Sequence, residues 1–75
     1  MKLMNRDLTK ESVVVYVTGN QIYIEVFAKI HGKWVKETFF QSFDWEIDQE
    51  YVNGTVRYIK RTWGLKDPQV VVVVK

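Results

Sequence analysis

The sequence predicts an α+β domain: a three-stranded antiparallel meander, one helix packed on one face, and a C-terminal strand pairing parallel to the first, in the order 4-1-2-3. Three observations point there. Apolar and polar residues alternate on either side of Gly19-Asn20. Val52, Val56, Ile59 and Trp63 recur at spacings of 4, 3 and 4. Val70 to Val74 is an unbroken apolar run. A period of two marks a half-buried strand, recurrence near 3.6 marks an amphipathic helix, and a short β-branched run marks a strand.

Residues 1–11 mix charges with Leu3, Met4 and Leu8 in no period and read as an N-terminal arm, leaving 12–75 as a single domain. From Ser12, a two-residue loop at Gly19-Asn20 sets Val17 opposite Ile22, Val15 opposite Ile24 and Val13 opposite Val26 on one face. The same register sets Tyr16 opposite Tyr23 on the other face. His31-Gly32 begins a second turn, and Trp34 to Phe40 a third strand with two candidate registers. A two-residue loop turns Val35 and Phe39 inward with Glu37 between them. A three-residue loop that includes Lys33 turns Trp34, Thr38 and Phe40 inward instead. The second is preferred, because an unpaired charge in a core is costly.

A helix follows, with Ser42 or Asp44 as the expected cap, since both residue types accept from the first free amides. Its apolar stripe is interrupted by Asn53-Gly54, where glycine costs up to about 1 kcal/mol relative to alanine and leaves a break open. Gly64 has the place of a left-handed cap, with Pro68 just beyond it. The valine run suits a strand that is covered on both faces or lies inside the sheet. A right-handed crossover makes this strand parallel to the first.

Seventy-five residues hold one hydrophobic core. An apolar fraction of 47% with 27% charged residues is that of a packed soluble domain rather than a disordered chain. Without cysteine there is neither a disulfide framework nor a thiolate metal site, so an intracellular, cytoplasmic setting is expected. No apolar run follows the basic residues of 1–6, so no secretory leader is expected, and no stretch approaches a membrane span. A net charge of +2 permits nucleic acid as a partner without requiring it.

Catalytic chemistry finds little purchase. His31 is the single histidine and falls in a turn, with no second histidine or cysteine to share a ligand set. Asp44, Glu46, Asp48 and Glu50 form one acidic group, which the dipole of a helix N-terminus explains better than a cation site does. Phosphate loops, nucleophile elbows and zinc spacings are all missing. The expectation is a non-enzyme without cofactor, metal or small-molecule substrate.

Two surfaces carry binding potential. Tyr16, Tyr23 and Phe27, flanked by Glu25 and Lys29, share the sheet face turned away from the helix, where aromatics anchor protein interfaces or stack bases. Coverage of this face by the arm is the plainer alternative. Arg57, Lys60, Arg61 and Lys66 gather at the helix C-terminus, where cations offset the dipole and can also meet phosphate.

In element order, Ser12 to Trp63 resembles the small sheet domains that some integrases and plant transcription factors place in the DNA major groove. Those readers carry more arginines on the outward sheet face than this chain does. The expected function is therefore a protein-binding module (inhibitor, adaptor or homodimer) acting through Tyr16, Tyr23, Phe27 and Lys29, with the edge of the third strand as an additional contact. Nucleic-acid binding through Arg57, Lys60, Arg61 and Lys66 is the alternative.

Overall fold

The computed structural model describes residues 10–75, and the expectation that the arm covers the outer face lies outside them. Four strands form one sheet in the order β3-β2-β1-β4: β1 (Ser12–Thr18), β2 (Gln21–Ile30), β3 (Lys33–Ser42) and β4 (Gln69–Val74). The helix α1 (Gln49–Trp63) connects β3 to β4, which pairs parallel to β1 while the other two pairings are antiparallel. The α+β class and the strand order are those the sequence predicts.

The first hairpin follows from its turn. Gly19 takes φ +60°, which glycine reaches without a Cβ penalty, and Val17↔Ile22, Val15↔Ile24, Val13↔Val26 and Tyr16↔Tyr23 pair as expected. The helix-facing residues of β1 and of β2 as far as Ala28 are buried, with Ile30 half-buried at the strand end, and with Val52 and Ile59 of α1, Ile47 and Leu65 they form the core. Val56 and Trp63 complete the helix stripe as half-buried residues.

The second hairpin corrects the preferred register. His31 (φ +51°) and Gly32 (φ +80°) are both left-handed, which makes a two-residue loop that closes on Ile30↔Lys33. Histidine is one of the few side chains that enters this region with some ease. Val35, Glu37 and Phe39 therefore share the helix side of the sheet, and Trp34, Thr38 and Phe40 the outer side. Glu37 is tolerated on the helix side because the core ends before β3 and its carboxylate stays exposed.

The start of the helix is a second correction. Ser42 still belongs to β3, and the segment after it is held by the first turn through Phe43 N–H to Asn20 O (2.9 Å) and Ile47 N–H to Gly19 O (3.0 Å). The cap is Asp48, extended at φ −103° and ψ 173°, whose Oδ1 accepts from Tyr51 N–H at 2.8 Å. Of the acidic group only Glu50 lies in the first turn, so Asp44 and Glu46 do not serve the dipole. Gly54 does not break the helix.

The C-terminus is a Schellman motif, with Gly64 at φ +66°, Gly64 N–H to Arg61 O and Leu65 N–H to Lys60 O. The buried Leu65 supplies its apolar contact. β4 is neither inside the sheet nor covered on both faces. It is an edge strand among the described residues, and Val70, Val72 and Val74 are exposed on its helix side.

Asp48→Ala should lower the unfolding free energy by about 1 kcal/mol. Ser42→Ala and Asp44→Ala should each stay within roughly 0.5 kcal/mol. Urea titrations followed by circular dichroism would rank the three, and an equal loss for Asp44→Ala would contradict a helix capped at Asp48.

Candidate binding surface

Tyr16, Tyr23, Phe27 and Lys29 all lie on the outer sheet face, where the period of two puts them. The Tyr16 and Tyr23 rings are 5.8 Å apart across the hairpin, and Phe27 stacks on Trp34 at 4.8 Å with the planes 9° apart. Lys29 Nζ stands 6.0 Å from the Trp34 ring, and its backbone N–H donates to a Glu11 carboxylate oxygen at 3.1 Å. The three aromatics are half-buried and Lys29 is exposed, while Val14 and Ser12 between them are fully buried. The register extends the patch onto β3, with Phe40 beside Tyr23 and Trp34 beside Lys29.

Arg57 and Arg61 are exposed along α1, Lys60 is half-buried, and Lys66 lies beyond the cap. Among the described residues no group of three or more acids or histidines is placed to hold a metal ion.

On the helix side, α1 and β3 enclose an open groove of about 880 Å³. Its floor is Ile22, Ile24 and Ile59, one wall is Phe39 with Gln41, and the other is Tyr51, Gly54, Thr55, Tyr58 and Thr62. Among the described residues, Glu50 is the one charged residue lining it. Phe39 remains 43% exposed and Tyr58 63%, so apolar surface stands open to water on both walls. At the end near Asp48, Tyr51 is tied into an aromatic cluster, its ring 5.4 Å from Phe43 and 5.2 Å from Trp45.

Sequence reasoning missed this groove, although two signals bore on it. Tyr51, Thr55, Tyr58 and Thr62 repeat the spacings 4, 3 and 4 one residue before the core stripe, which marks a second helix face turned toward β3. The adjacent Phe39 and Phe40 must project to opposite sides of any strand, so one of them faces away from the core in either register.

Gly54 has no internal steric reason to be glycine. Among the described residues a Cβ built there would meet only Arg57 Nη2, at 3.9 Å, an ordinary contact. The absent side chain leaves the groove wall open at that point. No protein-family model, no curated protein and no solved structure matches this chain.

Gly54→Ala should stabilise the domain by about 0.8–1 kcal/mol, the helix-propensity difference. For a domain of this size that raises Tm by roughly 4–8 °C, readable by calorimetry. A fall in Tm would mean that the backbone there requires glycine.

Proposed function

We propose that this chain is a non-catalytic protein-binding module that accepts an extended peptide segment as a fifth strand on the edge of β3 that is open among the described residues. The observation that carries it is the distribution of charge along that edge. Edge strands are commonly blunted with charged side chains, and β3 has Lys33, Lys36 and Glu37 in its first half, but Thr38 to Ser42 carries none. This unprotected half is the half that borders the groove.

A peptide laid along Thr38 to Ser42 alternates its side chains between the two faces of the sheet. One set enters the groove against Phe39 and Tyr58. The other meets Phe40, which the register sets beside Tyr23, so the expected contribution of the outer aromatic face becomes the flank of the same contact. Two or three buried apolar anchors contribute about 1.5–3 kcal/mol each. Ordering the peptide offsets part of this, so weak binding is expected, with dissociation constants in the millimolar to micromolar range, roughly 4–8 kcal/mol. The mechanism is occlusion: the partner's segment is held and made unavailable.

The test is selection of a random linear peptide library against the immobilised chain, with affinities then measured by calorimetry. The selected peptides should alternate apolar residues and protect amides of residues 38–42 from hydrogen exchange. Phe39→Asp and the helix-compatible Gly54→Leu should each weaken them by at least about tenfold, whereas Tyr16→Ala should not. Peptides indifferent to both groove substitutions would sink the proposal. Submicromolar nucleic-acid binding that falls with salt, and falls again when Arg57 and Arg61 are neutralised, would move the function to the cationic helix.

A further inference from the structure

We infer that β4 is a self-association edge, on which a second copy of this chain pairs antiparallel across a twofold axis with Val72 of one copy opposite Val72 of the other. Gln69–Val74 contains no charge, proline or glycine, and its blunting residues, Pro68 and Lys75, stand only at its ends. One side of the strand is paired to β1 along its whole length, from Ser12↔Gln69 to Val17↔Val74. From Val70 to Val74 the other side has no strand neighbour among the described residues.

The register is fixed by the pleat and by the sequence. In a twofold antiparallel pair, residues opposite each other lie on the same face of the sheet. Opposed residue numbers must therefore sum to an even value. A sum of 144 sets Val70 against Val74, Val71 against Val73 and Val72 against itself, so every valine meets a valine. A sum of 142 sets Val74 against Pro68, which cannot donate to a ladder, and 146 sets Val71 against Lys75. In the 144 register Lys75 faces the neutral Gln69, so no like charges oppose. This self-complementarity singles out a second copy over an unrelated strand.

The exposed side chains agree. Val70, Val72 and Val74 are 43%, 38% and 65% exposed on the helix side. A twofold axis normal to the sheet leaves both helices on one face and brings six such valines together in the trough between them. The contact is one strand wide and falls below the roughly 1,200 Å² of standard interfaces, so the dimer is expected to be weak and to need high micromolar concentration.

Sedimentation equilibrium of the full chain, from a few to a few hundred micromolar, should show 8.9 kDa passing toward twice that mass. Val72→Lys, which opposes two like charges at the axis, should raise the dimer dissociation constant by at least about tenfold while the circular dichroism spectrum is retained. Because the chain has no cysteine, Val72→Cys offers an independent readout. Opposed residues of a strand pair lie within disulfide reach, so mild oxidation should link this variant across the axis and leave a Thr38→Cys chain unlinked. A monomer at every concentration would overturn the inference, as would a dimer that Val72→Lys leaves intact or a Val72→Cys chain that does not cross-link. None of these outcomes bears on peptide capture at β3, which uses the opposite edge.

Discussion

A single helix must cover a sheet four strands wide, and the distribution of exposed apolar surface follows from that mismatch. A helix with its side chains is about 10 Å across, whereas four strands spaced about 4.8 Å apart span roughly 14 Å between the outer backbones alone. Two strands can be buried fully, and α1 chooses β1 and β2, whose helix-facing residues from Val13 to Ala28 are buried throughout. The outer pair is left with one face half-covered. Phe39 on β3 and Val70, Val72 and Val74 on β4 are exposed for that reason and not because their side chains are polar.

This constraint also separates what the sequence discloses from what it hides. Period and turn chemistry are local, so the β1–β2 register could be read pair by pair, and the stripe from Val52 to Trp63 found its face. The parallel return of β4 followed from the handedness of the crossover. The register of β3 was not legible, because Glu37 counts against the observed pairing only if the helix side of every strand is core. That condition holds for central strands and fails at an edge. The stronger signal was the turn, since His31-Gly32 can place two successive left-handed residues and thereby close a two-residue loop.

The helix start misled for a related reason. Ser42, Asp44 and Asp48 are equally good caps by residue type, and tertiary contacts decide among them. The backbone of Phe43 and Ile47 is committed to hydrogen bonds with Asn20 and Gly19, which holds the chain away from helical geometry until Asp48. The stacking of Phe43 on Trp45, with ring centroids 4.3 Å apart, gives that irregular segment packing of its own. Acidic residues that look like helix charges in one dimension become the exposed side of a strap.

The two edges of the sheet are unlike, and the difference bears on how the molecule meets others. β3 is long, mixed in chemistry and charged over its first half, so whatever pairs with it must match a particular register beside Phe39 and Phe40. β4 is short and homogeneous, and homogeneity ordinarily makes register slippage easy. Here the ends supply the specification that the valines lack, because Pro68 and Lys75 make the neighbouring even registers worse than the one centred on Val72. Self-pairing at β4 would protect the segment most prone to uncontrolled strand addition. It would also leave β3 as the free edge at each end of a continuous sheet, which doubles the peptide-accepting surface without changing it.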